Sequence, residues 1–262
     1  KTLVARGVIA RSIERLQSQG VDRIDIVYIC SNADIARQNV NRLNVTGRPE
    51  FNFPTRITML PLHLRQLKQH GINFVSFTPG TSFNLKSRGG MLSERALLFR
   101  LLSYAWDWPA RRHMGFFKVL RGNAPIESFR SAVRWTPAAI GKGEGEIDPG
   151  LADAFRRELR NEAMAAKSRG ELSLYQRFEA LAERYRRATH DVDWNGRQQL
   201  VGQMRLALAR SCVKALEPDL VILDEFQRFR DLLDGEDPAA DLAQHLFAQE
   251  TARVLLLSAT PY

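Results

Sequence analysis

Two cysteines in 262 residues, Cys30 and Cys212, stand far apart and form no Cys-x-x-Cys pair. That excludes a disulfide scaffold and a cysteine zinc site, and leaves two buried, reduced thiols as the expectation. The five histidines, His63, His70, His113, His190 and His245, show no His-Glu-x-x-His or similar ligand spacing, so no protein-held zinc is expected. No apolar stretch approaches the ~18 to 20 residues that span a bilayer, and no basic-then-apolar leader opens the chain. A soluble, cytoplasmic protein with no membrane partner is the expectation. No segment repeats at a fixed period. The chain opens on Lys1 rather than Met and stops directly after an apolar run, at Leu257-Ser258-Ala259-Thr260-Pro261-Tyr262, which reads as a piece of a longer protein.

Hydrophobic residues make up 44% of the chain, too many for disorder, and the length suits one large domain or two small ones. Basic residues outnumber acidic ones 38 to 29, and the excess is unevenly placed. Residues 86–134 hold ten Lys and Arg against three acids (Glu94, Asp107, Glu127), so seven of the nine net positive charges lie there. Trp106, Trp108, Phe116, Phe117, Phe129 and Trp135 interleave with them. Cations with stacking rings suit a nucleic-acid backbone, because Lys and Arg displace counterions while π-faces accept any base. The competing reading is an amphipathic helical pair whose rings are core and whose arginines are solvated.

Hydrophobic spacing predicts a helix over 2–18, a strand over Ile24 to Ile29, and a helix capped by Ser31-Asn32 and running to about Leu43. A strand over Arg56 to Leu60, a short helix over Pro61 to Gln69 and a strand over Ile72 to Phe77 follow. From Met91 to about Leu216 only helical spacing is found, with helix starts at Pro109 and Pro149 and an exposed loop at Gly141 to Gly145. Continuous apolar runs at Leu220 to Leu223 and Val254 to Leu257 mark strands buried on both faces, with a helix opening at Asp237-Pro238 between them. The result is an α/β chain with a parallel sheet: 1–88 and 217–262 form the sheet domain, and 89–216 a mainly helical insertion.

Asp224-Glu225 carries the strongest chemical signal. A strand of four large apolar residues delivers two carboxylates at its carboxyl end, where open α/β sheets bind ligands. Lys1-Thr2 at a helix start is, alone, worthless as a motif; in a phosphate-binding loop, G-x-x-x-x-G-K-[ST], such a pair follows the glycines and meets phosphates and Mg²⁺. The order of the pieces changes their weight: Lys1-Thr2, then Tyr28-Ile29-Cys30-Ser31-Asn32, then Phe77-Thr78-Pro79-Gly80-Thr81-Ser82-Phe83, then Asp224-Glu225-Phe226-Gln227, then Ser258-Ala259-Thr260. Together these span the chain and resemble the DEAD/DEAH-box and Swi/Snf-like helicase superfamily, in its first RecA-like, ATP-binding lobe. Phe226 stands where Ala is commonest, which leaves the subgroup open.

The resemblance implies a three-layer RecA-like P-loop NTPase lobe interrupted by a long helical insertion, since Leu220 follows Phe83 by 137 positions. It implies ATP and Mg²⁺ as cofactors, with Lys1 on the β- and γ-phosphates and Thr2 and Asp224 on the magnesium. Glu225 would be the catalytic base, and Gln227, Ser258 and Thr260 would couple nucleotide state to grip. Ser31, Asn32, Thr78, Thr81 and Ser82 would meet a nucleic-acid backbone, while capping for the first two and a structural turn for the others remain open readings. Arg111 and Arg112 are candidates in the basic segment. The implied activity is that of an ATP-dependent helicase or translocase acting on DNA, with RNA left open and a second RecA-like lobe of the same chain as partner. The alternative is an ATP-driven remodeller or P-loop switch or clamp that separates no strands.

Overall fold

The computed structural model describes residues 2–83, 89–108, 113–137, 140–141, 146–188, 190–229, 235 and 238–258, apart from the side chains of Ala33, Glu50, Pro54, Thr81 and Pro238. The chain divides into two compact units, Lys1–Asn84 with Cys212–Tyr262, and Leu85–Ser211, within a few residues of the bounds expected from the sequence.

The first unit is built on five parallel strands, β1 (Ile24–Ile29), β2 (Asn52–Pro54), β3 (Ile72–Phe77), β4 (Leu220–Asp224) and β5 (Arg253–Leu257), in the spatial order β2-β3-β1-β4-β5. Its helices are α1 (Thr2–Ser18), α2 (Ala33–Leu43) and α3 (Leu64–Gln69). Alternation along the strands decides what each face meets. Ile24, Ile26, Tyr28, Phe74, Leu220 and Ile222 pack with Ala5, Ile9 and Ile13 of α1 and Ala36, Val40 and Leu43 of α2. The alternate residues Val27, Ile29, Val75, Phe77, Val221 and Leu223 are also buried, so the three central strands are covered on both faces. β5 is an edge strand, and Val254 and Leu256 are about half exposed there.

One expected strand is absent from this unit, and one unexpected strand is present. Residues 56–60 form no strand: Ile57–Leu62 is a tight helical stretch with Ile57 and Leu60 fully buried, and Pro61 lies within it, lacking the N–H a ladder needs. The additional strand is the three-residue β2, too short and too rich in Asn and Pro to show a period.

The second unit is helical, with α4 (Leu92–Trp106), α5 (His113–Arg121), α6 (Ile126–Trp135), α7 (Pro149–Ser168), α8 (Leu174–Arg187) and α9 (Trp194–Leu216), which runs past the unit boundary. The sheet unit then adds α10 (Pro238–Phe247). The helix start expected at Pro109 lies outside the described residues. Asp148 caps α7 by accepting from the Leu151 N–H at 3.0 Å, and Ser173 with Gln176 forms a reciprocal capping box for α8.

The aromatic rings of the basic segment are mostly core. Phe99 meets Trp108, His113, Phe117 and Phe129 at ring distances of 4.8–6.3 Å, and Trp108 meets Phe116 at 4.4 Å. Phe116, Phe129 and Phe178 are fully buried, whereas Trp135 is 85% exposed. Three of the segment's described cations reach helix ends. The last carbonyls of a helix carry partial negative charge and lack partners within the helix. Arg95 donates to Leu120 O and Arg121 O at the end of α5, Arg100 to Val133 O near the end of α6, and Lys118 to Arg186 O and Ala188 O at the end of α8. Arg156 of α7 does the same for α4 through Tyr104 O.

Two further arginines are buried in ion pairs. Arg205 meets Glu94 at 2.8 Å with both side chains fully buried, and Arg197, 2% exposed, meets Asp191 at 2.8 Å. Glycine makes room for both guanidinium groups. Gly90 and Gly122 have φ of +66° and +58°, and a Cβ there would lie 2.5 Å from Arg205 Nε and 2.3 Å from Arg197 Nη1.

Candidate functional site at the carboxyl edge of the sheet

β4 is central and wholly buried, and it ends at Asp224, 8% exposed. The next residue breaks the extended backbone. Glu225 has φ of +58°, a left-handed conformation that costs a non-glycine residue about 1 kcal/mol or more, and its N–H donates to Leu257 O at 2.7 Å. The chain then makes one tight turn, Phe226–Phe229, anchored by the buried Phe229. This turn brings Arg228 back: its N–H donates to Glu225 O at 2.9 Å and its Nε meets Glu225 Oε2 at 2.9 Å. Both partners are partly exposed, so the pair orients the carboxylate more than it stabilises the fold. Gln227 is exposed.

Register places the neighbours. Asp224 is opposite Leu257 of β5, so Ser258 follows at the level of Glu225. Tyr28 is opposite Ile222, and two residues beyond Ile222 on the same face is Asp224. Tyr28 Oη accordingly donates to Asp224 Oδ2 at 2.5 Å, and Asn39 Nδ2 of α2 donates to Tyr28 Oη at 2.9 Å and lies 3.4 Å from Asp224 Oδ2. Burial, then the hydrogen bond to Asp224, pushes the Tyr28 pKa up, so the phenol keeps its proton and is the donor. The Cys30 thiol is also pushed up, first by burial, and is inert.

α1 packs on this same face. It ends at Ser18, a short turn before β1 begins at the amino edge, so its 17 residues run back antiparallel to the strands. A helix of that length covers ~25 Å, enough to bring exposed Thr2 to the carboxyl edge. Lys1 and Thr260 lie outside the described residues, as do Arg111 and Arg112. Among the described residues no group of three or more His, Cys, Asp or Glu side chains is arranged to hold a metal ion.

The residues expected to meet nucleic acid separate into two classes. Ser31 and Asn32 are exposed at the turn after β1, and Asn32 Oδ1 also caps α2 by accepting from Asp34 N at 2.8 Å and Ile35 N at 3.2 Å. Thr78 and Ser82 are buried, at 6% and 0% exposure. Ser82 N donates to Thr78 O at 2.8 Å, and the Phe83 ring wedges edge-on against Phe77 at 6.0 Å. The Ser82 hydroxyl lies 3.5 Å from Thr55 O, and burial of both side chains favours the structural-turn reading over contact through their hydroxyls. Thr81 is described only in its backbone.

Sequence reasoning assigned no role to Tyr28, Asn39 or Arg228. The legible signal was a tyrosine in an otherwise aliphatic inward row, Ile24-Ile26-Tyr28, whose hydroxyl must find a partner when buried. No family model matches the chain, and no curated protein or solved structure matches it either.

Proposed function

We propose that the sheet unit is the ATP-binding, RecA-like lobe of an ATP-dependent nucleic-acid helicase or translocase, with DNA as the favoured track. One observation carries this reading: two adjacent carboxylates at the carboxyl tip of a buried central strand, the second held in left-handed backbone. Such a conformation persists where the surrounding fold over-determines it, and it clusters at working sites. The parallel sheet and the start of α1 on the same face support the reading further.

The residues fit a magnesium nucleotide. Mg²⁺ is held by one or two carboxylates together with phosphate oxygens and water, so Asp224 with the Thr2 hydroxyl suffices where a protein cage of three acids would be superfluous. Bound Mg²⁺ neutralises charge on the β- and γ-phosphates. Lys1 would hold those phosphates, with the N–H groups opening α1 as further donors. Glu225 accepts the proton of the attacking water, and Arg228 sets the orientation of its carboxylate. Ser258, beside Glu225, passes the change to the grip on the strand, together with Gln227 and Thr260. Ser31 and Asn32 meet the strand's phosphates without reading bases. A second RecA-like lobe completes the nucleotide site.

An ATP-driven remodeller or switch that separates no strands is favoured by one observation, the burial of Thr78 and Ser82, which counts against two of the expected strand contacts. Titration with a fluorescent ATP analogue, with and without Mg²⁺, tests the nucleotide reading. Glu225→Gln is expected to keep Mg²⁺-dependent binding and lose turnover. Full turnover in that variant rejects the base assignment, and absence of Mg²⁺-dependent binding in the wild type rejects the site.

A further inference from the structure

The inward row of β1 is aliphatic until Tyr28, where a phenylalanine would fill the same space between α1, α2 and the sheet with no polar group to satisfy. The hydroxyl is 1% exposed with its residue, and it is spent on one acceptor 196 positions away in the sequence, Asp224 Oδ2, at 2.5 Å. Asn39 Nδ2 completes a three-membered network, 2.9 Å from the phenol oxygen and 3.4 Å from the same carboxylate oxygen. An O–H donor to a carboxylate at this distance is a charge-assisted bond, stronger and more directional than a neutral one. Partners of this kind fix the orientation of a metal-binding carboxylate and tune its affinity.

The two donors share an origin. Tyr28 lies near the end of β1 and Asn39 on α2, and the turn between them contains the exposed Ser31 and Asn32, with Asn32 capping α2. Asp224 is on a different strand, joined to β1 through the Ile26–Leu220 to Ile29–Leu223 register. Tyr28 and Asn39 thus flank the turn, one on each side, and both reach the same carboxylate oxygen.

We propose that Tyr28 and Asn39 are positioning residues that hold the Asp224 carboxylate in its metal-binding orientation and transmit the state of the Ser31–Asn32 turn to it. This rests on the reading of Asp224 as a magnesium ligand. A strand seated on the turn strengthens the network and with it the metal nucleotide's hold. Coupling of this kind is reciprocal, so the bound metal nucleotide tightens strand binding by the same factor.

The test uses Mn²⁺ as a paramagnetic probe of the intact protein with a non-hydrolysable ATP analogue, with and without a DNA oligonucleotide, read by electron paramagnetic resonance. Tyr28→Phe is expected to weaken Mn²⁺ binding about 10-fold, and Asn39→Ala, at a half-buried position that folding tolerates, about 3-fold. Both should abolish the change in Mn²⁺ affinity that DNA produces in the wild type. A purely structural role lowers the melting temperature and leaves Mn²⁺ affinity and the DNA effect intact, and that result overturns the proposal. Wild-type Mn²⁺ binding that is normal but insensitive to DNA overturns the transmission. Wild-type protein that binds no Mn²⁺ with the nucleotide overturns the magnesium reading of Asp224, and the proposal with it.

Discussion

Arginine does opposite work in the two units. In the helical unit Arg95, Arg197 and Arg205 turn inward, to helix-end carbonyls, to Asp191 and to Glu94, and burial followed by the neighbouring Arg197 pushes the Arg95 pKa down. At the sheet's carboxyl edge Arg228 stays at the surface, 61% exposed, against a carboxylate whose backbone is strained. One set of charges joins helix to helix; the other pairs with a partly exposed carboxylate at the candidate site. A count of basic residues sees no difference between them. The difference is tertiary: helix ends need cations, and four helices of this unit receive theirs from another helix, three of them from within residues 86–134.

The sharpest way to break this comparison is to remove an inward charge. Arg205→Ala takes the cationic partner from the fully buried Glu94, and a loss of about 3–5 kcal/mol is expected in denaturant unfolding. A loss below about 1 kcal/mol would return the pair to the surface class. Trp108→Ala should cost a comparable ~3–5 kcal/mol, since Trp108 is core between Phe99 and Phe116.

The sheet unit has an inward charge too, at the amino edge. Asp25 is fully buried between Asn73 and Arg23, and burial raises its pKa from 3.8 to about 6 against the lowering effect of Arg23. Because the folded state holds this proton more tightly than the unfolded state, the stabilisation is complete below about pH 4 and is lost as pH rises through about 6. Asp25→Asn keeps the oxygen that accepts from Asn73 and frees Arg23 to reach solvent. Thermal melts should show it more stable than wild type by up to about 3 kcal/mol at pH 8, with the advantage vanishing near pH 4. An advantage that grows toward acid would reverse the assignment.

Glu225→Gly separates the demands of fold and chemistry at one position. Glycine accepts the left-handed backbone freely, so a gain of up to about 1 kcal/mol is expected together with loss of hydrolysis. The smallest effect should be at Trp135, where replacement by Ala changes stability by less than about 0.5 kcal/mol because the ring is solvent-exposed. Any loss of nucleic-acid affinity there would single out the one strongly exposed ring of the basic segment.

Much of the fold was legible because its periods are clean. The spacing over 2–18 predicted α1, the apolar runs predicted β1, β3, β4 and β5, and the absence of strand signals predicted the helical insertion. β2 was not legible, because three residues carry no period, and Ile57–Leu62 misled because a β-branched start precedes a proline. At the site, Asp224 and Glu225 stood out as acids closing an apolar strand. Tyr28, Asn39 and Arg228 did not: the first two depend on strand register across more than 180 positions, and the third on a backbone reversal that no side-chain pattern encodes. Thr78 and Ser82 left two readings open because hydroxyls buried in a turn and hydroxyls that meet phosphate are the same residues in sequence.

The central claim is that the carboxyl edge of the sheet hydrolyses ATP in response to nucleic acid. Its most direct test is the steady-state ATPase rate of the intact protein alone and with single-stranded DNA, duplex DNA or RNA, with Glu225→Gln as the blank. The account predicts stimulation of roughly 10-fold or more by a DNA track, absent in Glu225→Gln. Turnover indifferent to every polymer, or surviving in Glu225→Gln, would contradict it.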